Sequence, residues 1–220
     1  MSYGIKLHVW GDYALFTRPE MKVERVSYDF LTPSAARAIV SAIYWKPEIR
    51  WIIDEIHVLK PIRFISLRRN EVGSKIRAGA VSSAMKKGAG NLGLFIEEER
   101  QQRAAMILRD VAYVIAAHFE IVGGEANEAK HLDQFNRRAR EGKCFMRPYL
   151  GCREFAADFA LAQDPASLPK PHESFLAEKD YGWMLHDIDY AHDNHPRFFR
   201  AIMRDGIVKV PPFESDEVRE

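Results

Sequence analysis

The sequence predicts an α+β protein of the ferredoxin-like, RRM-like type, and three observations carry that prediction. Over roughly the first 163 residues the apolar patterning reads strand, helix, strand, strand, helix, strand, the order of a split βαβ unit. That order implies an antiparallel sheet with both helices on one face. The two helical stretches carry start and stop signals, whereas the strand stretches alternate or are rich in Ile, Val and aromatic residues. Between about 70 and 93 the composition changes to glycine and lysine, which marks an insertion into the unit rather than another element of it.

Taken in order, Gly4 to Trp10 sets Ile5, Leu7 and Val9 against Lys6 and His8, the period of a half-buried strand. Thr32-Pro33 supplies an N-cap and a first-turn proline, and Ala36, Ile39, Val40 and Ile43 recur at helical spacing. Pro47 disfavours helix at the residue before it, so this helix ends near Tyr44 and leaves Tyr44 close to the surface. Ile49 to Leu59 reads as a long strand; Pro61 interrupts it, and Ile62 to Leu67 resumes as a strand that bends out of the sheet. Asn70 to Gly93 interleaves five glycines with Lys75, Arg77, Lys86 and Lys87 and reads as a mobile basic loop that orders on a ligand. Its glycine spacing fits neither a Walker loop nor a dinucleotide fingerprint, so no nucleotide cofactor is expected.

Ala104 to Val122 is a further long apolar strand, in which His118 reads as a satisfied sheet histidine. Gly123-Gly124 then turns into a second helix, with Ala129, Leu132, Phe135 and Ala139 as its expected buried stripe and Gly142 as its stop. Cys144 to Leu150 and Glu154 to Ala162 supply aromatic-rich strand segments, and 164–171 is a proline-bearing linker. Beyond it, 172–213 reads as a small C-terminal antiparallel β-sheet module in which Arg204-Asp205-Gly206 is a hairpin turn. Glu214 to Glu220 is acidic and expected to fray.

The totals bound the function. With 32 basic and 31 acidic residues the net charge is +1, so affinity for nucleic acid must come from local clusters, notably Arg63 to Arg77 and Lys130 to Arg153. Cys144 and Cys152 are too widely spaced for a CxxC site and too few for a disulfide framework, which suits a reducing cytoplasm. No zinc spacing, signal pattern or membrane-length apolar run is present, and the expected location is cytoplasmic, without membrane partners.

The chemistry concentrates in NEAKHLDQFNRRAREG, Asn127 to Gly142. One helix carries Lys130 and His131 side by side in its first turn, followed by Arg137, Arg138 and Arg140. Cations hold phosphates, and an imidazole moves protons near neutrality, so such a set suits a protein that grips a polyanion and cuts it. The alternative is a solvated basic helix face. In the split arrangement the end of the first helix and the start of the second lie on loops able to approach each other, which allows Tyr44 to come near His131 without requiring that they meet.

GDYALFTRPE, SAIYWKP, IDEIHVLKPI, NEVGSKI, QQRAAMILRDVAYVIAAHFE, NEAKH and PYLGCREFAADF together resemble the CRISPR-associated Cas-five family in its subtype I-C (Dvulg) form, from about residue 5 to residue 212. The resemblance implies a RAMP-superfamily fold and an endoribonuclease that cuts the CRISPR repeat transcript (pre-crRNA) into guide RNAs. It implies metal-independent cleavage with no cofactor, after which the protein stays on the guide's 5′ handle within a type I-C interference complex. It also places the catalytic group on Tyr44, Lys130 and His131. A longer C-terminal extension of some relatives is expected to be missing.

With those residues, His131 serves as base or acid, Lys130 stabilises the charge on phosphorus, and Tyr44 orients the nucleophile or shares the proton transfer. RNA contacts are expected from Lys46, Arg68, Arg69, Lys75, Arg77, Lys86, Lys87, Arg137, Arg138 and Arg140, with Trp45 either stacking on a base or anchoring the first helix. Two other readings stand beside this one. HDIDYAHDNH, with His186, Asp187, Asp189, His192, Asp193 and His195, has the residue types of a divalent-metal site and allows a metal-dependent nuclease. A non-catalytic RNA-binding subunit is the other.

Overall fold

A computed structural model describes residues 4–21, 23–90, 92–124, 127–162 and 170–220. Strand β5 (Arg100–Ile121) organises it. Its 22 residues span roughly 70 Å at the usual rise per residue, and its partners change along that length. The C-terminal half lies between β1 (Gly4–Ala14) and β3 (Ile49–Val58), antiparallel to both. The N-terminal half pairs with β4 (Phe64–Val72), and the short β2 (Arg25–Val26) runs parallel beside Ala105 and Met106. Leu108 pairs with Ala14 on one side and Phe64 on the other, so β3 and β4 follow one another along a single edge of β5. The bend expected around Pro61 is this handover. Opposite it, Asp110 adopts φ 53 and its carboxylate takes an ion pair from Lys60.

Register explains the core. Leu7, Ile115 and Ile56 form one row across β1, β5 and β3, and Val9, Tyr113 and Val58 form the next, all on one face. Helices α1 (Pro33–Ile43) and α3 (Glu128–Arg140) cover that face. Helix α1 forms where its signals lie: Thr32 is the N-cap, its side chain accepting from the Ala35 amide at 3.3 Å, and Pro33 opens the first turn. Ala36, Ile39, Val40, Ala42 and Ile43 are its buried stripe. The far edge of β1 takes β6 (Asp158–Leu161), giving the run β6-β1-β5-β3.

The sheet does not stop there. β7 (Lys179–Asp189) and β8 (His195–Arg204) form a hairpin, and Asp205-Gly206, both at positive φ, turns into β9 (Ile207–Lys209). β9 pairs with β3, so the C-terminal strands continue the main sheet instead of forming a second one. Ten strands of the described residues share it.

Four sequence expectations are corrected. The insertion at 70–93 is not simply a loop: β4 runs to Val72, and Ala78–Lys87 forms helix α2, closed by Gly88 at φ 64. Its alanines favour helix and Lys86 and Lys87 suit the helix C-terminal pole, yet none of its residues is buried, so no apolar stripe announces it. The buried stripe of α3 is His131, Phe135 and Ala139, with Ala129 exposed. Cys144 to Leu150 is irregular chain, joined to Ala156 only by a bridge at Tyr149, and regular pairing begins at Asp158. The acidic tail does not fray throughout, because β10 (Val218–Arg219) pairs with β8 and buries Val218. The expected linker at 164–171 lies mostly outside the described residues. Among the described residues no helix is long and apolar enough to cross a membrane.

Candidate catalytic site at the junction of α1 and α3

The last carbonyls of a helix have no partner within it. At the end of α1 each of several such groups is met from outside. The Tyr44 amide makes the last bond of the helix itself, to Val40 O at 3.1 Å; beyond it, the amides of Phe145 and Met146 donate to Ala42 O at 2.9 and 3.1 Å. Arg138 Nη1 donates to Ile43 O at 3.0 Å, and Trp51 Nε1 donates to Tyr44 O at 2.8 Å. The irregular segment after α3 is therefore a cap for α1, which is why its apolar residues form no strand. These bonds fix the backbone of Tyr44, which is extended at φ −150 and ψ 120. Tyr44 turns inward, while Trp45 is 57% exposed.

Helix α3 supplies the facing groups. Asn127 caps it, its Oδ1 accepting from the Lys130 amide at 3.0 Å. His131 lies on the buried face, 7% exposed, with its ring edge-on to Phe119 at 6.0 Å. One turn on, Phe135 is fully buried against Trp51 at 5.0 Å, and Trp51 meets Phe119 at 5.2 Å. This aromatic cluster sets the height of α3 over β3 and β5. Lys130, one residue from His131 and so turned by about 100°, is exposed.

The two helix ends meet at a hydrogen bond of 2.9 Å between Tyr44 Oη and His131 Nδ1, across 87 residues of sequence. Which atom donates depends on the imidazole tautomer, so the pair can hold its proton on either side. Burial pushes the Tyr44 phenol above its ordinary range; the Arg138 guanidinium opposes that shift and the Glu48 carboxylate adds to it. Among the described residues, one buried carboxylate oxygen of Glu48 has no hydrogen-bond partner. The arrangement offers a proton-sharing pair, an exposed lysine at the adjoining position of α3, and an exposed aromatic ring at Trp45.

The other candidate residues divide. Trp45 and Lys46 are exposed at the rim, which removes the reading of Trp45 as a core anchor. Arg68, Lys75, Arg77, Lys86 and Lys87 are exposed along the arm made by β4, α2 and the start of β5. Arg69 is turned the other way and engaged by Glu154 and by Glu71 at 3.7 Å. Arg137 and Arg140 are exposed on α3, Arg137 bonding Gln134 at 2.9 Å. Arg138 is directed inward to Ile43 O and lies over the Tyr44 ring at 5.4 Å, a placement the sequence reading missed. Its position seven residues after His131, two helical turns along the same face, was the available signal.

The acidic and histidine segment is occupied by other work. Asp187 takes a two-pronged bond from Arg37 at 2.6 and 2.9 Å, tying β7 to α1. Asp189 closes the β7–β8 turn through the amides of Ala191 and His192 and the His192 ring, and His186 Nε2 bonds Pro211 O at 2.8 Å. Among the described residues no group of three or more His, Cys, Asp or Glu side chains is arranged to hold a metal ion.

A family model described as CRISPR-associated protein (Cas_Cas5), in its Cas5d form, matches residues 4–211. The chain is 57% identical to the CRISPR pre-crRNA endoribonuclease Cas5d of Mannheimia succiniciproducens, with 100% of both chains covered. It is 37% identical to the protein of that name from Thermus thermophilus, covering 97% of this chain and 94% of the other. A solved structure titled "Crystal Structure of CRISPR-associated Protein" shares the fold, with TM-score 0.71 and 23% identity over 100% of this chain and 97% of that one. A match over nearly the whole chain, with relatives at this identity, means that the chain belongs to the CRISPR-associated Cas5 family, in its Cas5d form.

Proposed function

We propose that this chain is a pre-crRNA endoribonuclease that cuts CRISPR repeat RNA without a metal ion, by attack of a 2′-hydroxyl on the adjacent phosphate. The observation that carries the reading is the 2.9 Å contact of Tyr44 Oη with His131 Nδ1, with Lys130 the preceding, exposed residue of α3. Its closeness to relatives named for this activity supports the substrate. In the proposed step, one member of the pair takes the 2′-hydroxyl proton as O2′ bonds to phosphorus. The bond from phosphorus to O5′ then breaks and the pair gives a proton to O5′, leaving a 2′,3′-cyclic phosphate and a 5′-hydroxyl. Lys130 offsets the extra negative charge on the pentacoordinate phosphorus.

The run β6-β1-β5-β3, with α1 between β1 and β3 and α3 between β5 and β6, supports the ferredoxin-like, RAMP-type reading of the fold. The exposed cations of Lys46, Arg68, Lys75, Arg77, Lys86, Lys87, Arg137 and Arg140 suit phosphate contacts, and Trp45 suits stacking. After cutting, the protein stays on the 5′ handle as a subunit of a type I-C interference complex.

One observation favours a second reading. Tyr44 and His131 are 4% and 7% exposed, which is what a purely structural pair in a non-catalytic RNA-binding subunit would also show. Incubating the purified protein with its repeat stem-loop RNA in excess EDTA separates the two. Cleavage at one position is the expected result; tight binding with intact RNA would favour the structural subunit.

A further inference from the structure

We propose that Arg138 is a positioning residue of the catalytic site, gripping the end of α1 so that the Tyr44 hydroxyl stays on His131, and not a phosphate contact. The inference rests on the catalytic reading of that pair.

The geometry is a two-point hold. His131 and Arg138 stand seven residues apart on α3, nearly in line and about 10 Å apart along the axis. From these positions α3 reaches two consecutive residues of the opposite helix end. His131 takes the Tyr44 hydroxyl at 2.9 Å, and Arg138 Nη1 donates to the carbonyl of Ile43 at 3.0 Å. The hydroxyl contact holds the tip of the ring, whereas the Arg138 bond, together with those from Trp51, Phe145 and Met146, holds the backbone from which the ring projects. The guanidinium also lies 5.4 Å from the Tyr44 ring centre, against its face.

Charge supports the same assignment. A helix C-terminus is its negative pole and favours a cation, yet the last turn of α1 contains no basic residue. Arg138, from another helix, occupies that place. Its neighbour Arg137 is exposed and bonds along its own helix to Gln134, as a residue available to a phosphate would. The charged groups facing the pair are Arg138 of α3 and Glu48 of the α1–β3 connection, with Lys130 at the neighbouring, exposed position of α3. Trp51 of β3 and Phe119 of β5 face it without charge. Arg138 opposes both the burial and the Glu48 carboxylate in their effect on the phenol.

The test compares Arg138→Ala and Arg138→Lys with Arg137→Ala in the full-length protein. Three quantities are read: the single-turnover rate at saturating repeat RNA, the salt dependence of RNA binding, and the titration of Tyr44 followed by NMR of ring-labelled tyrosine. For Arg138→Ala the rate is expected to fall by up to about 10²-fold through misplacement of the reacting groups. The salt slope stays at the wild-type value and the Tyr44 titration moves to higher pH. Arg138→Lys, which keeps a charge and one donor, restores the titration and part of the rate; it also serves if the alanine variant does not fold. Arg137→Ala gives the opposite pattern, a flatter slope with the Tyr44 titration unmoved. The proposal is overturned if Arg138→Ala flattens the slope by about 0.7–0.9, one phosphate's worth, at an unchanged rate, or if the Tyr44 titration does not move. Should the wild-type protein cut no repeat RNA at all, the catalytic reading fails and the titration alone decides whether Arg138 holds Tyr44.

Discussion

Tyr44→Phe removes one oxygen and nothing else, which makes it the sharpest perturbation of the site. The ring keeps its place beside Arg138, and the backbone bonds to Val40, Trp51 and the rest of the α1 cap are untouched. What is lost is the 2.9 Å bond to His131, whose ring is 7% exposed and so cannot replace it freely with water. Leaving a buried polar atom unpaired costs about 1–3 kcal/mol of stability. Loss of a group that shares in proton transfer slows cleavage by about 10²–10⁴-fold, which at 1.36 kcal/mol per decade is about 2.7–5.4 kcal/mol of barrier. The two magnitudes are separable. Urea unfolding reads the first, and a single-turnover assay at saturating RNA, under conditions where the variant is fully folded, reads the second. A variant destabilised by 1–3 kcal/mol that still cuts within about threefold of wild type would make the Tyr44–His131 bond structural, and the catalytic role given to it would be wrong.

Three further outcomes follow from the packing. A Cβ at Gly151, which sits at φ 84, would lie 2.0 Å from Leu15 O, so Gly151→Ala must displace backbone; it should destabilise by at least about 1–3 kcal/mol in thermal or urea unfolding, and an unchanged midpoint would contradict the close approach. Tyr113 is buried and its ionisation is pushed above the ordinary phenol value of 10.0, by burial first, against a backbone hydrogen bond from Leu31. The unfolded chain therefore releases this proton before the folded one does, and stability is retained below that pH and falls as pH rises above it; Tyr113→Phe should flatten this alkaline limb, and an unaltered limb would assign it to other groups. Asp187→Asn breaks the two-pronged bond with Arg37 and should cost about 1.5–3 kcal/mol of stability while leaving RNA cleavage within a few-fold. Loss of several decades of cleavage in a folded Asp187 variant would instead draw the His186–His195 segment into the chemistry.

Much of the site was legible because its signals are local. Thr32-Pro33 and Pro47 bracket α1 so tightly that Tyr44 had to stand at its end, and Asn127 with Gly142 brackets α3 in the same way. The Tyr44–His131 contact needed only that the end of α1 and the start of α3 fall on one side of the sheet. Other parts were hidden because the reading follows burial. Helix α2 buries nothing and so has no stripe, whereas His131 is buried but polar and was left off the stripe in favour of Ala129. Arg138 was counted as a phosphate contact because sequence shows its charge and not that its guanidinium finds an orphaned carbonyl 95 residues away. Likewise, Phe145 and Met146 look like strand residues, although their amides are spent capping Ala42 and their side chains are 84% and 45% exposed. The pairing of β9 with β3, which merges the C-terminal strands into the main sheet, depends on contacts between segments about 150 residues apart in sequence.

The central claim is that a 2′-hydroxyl of the RNA is the nucleophile and that Tyr44 and His131 handle its proton. It is tested most directly by a repeat RNA carrying a single 2′-deoxy substitution immediately 5′ of the scissile phosphate, offered in excess EDTA beside the unmodified RNA. The substituted RNA should bind with unchanged affinity, because its phosphates are intact, and should not be cut. The unmodified RNA should yield a 2′,3′-cyclic phosphate on one fragment and a 5′-hydroxyl on the other. Cleavage of the 2′-deoxy RNA, or a 5′-phosphate on the product, would mean that activated water attacks instead, and the roles assigned to Tyr44, Lys130 and His131 would have to be withdrawn.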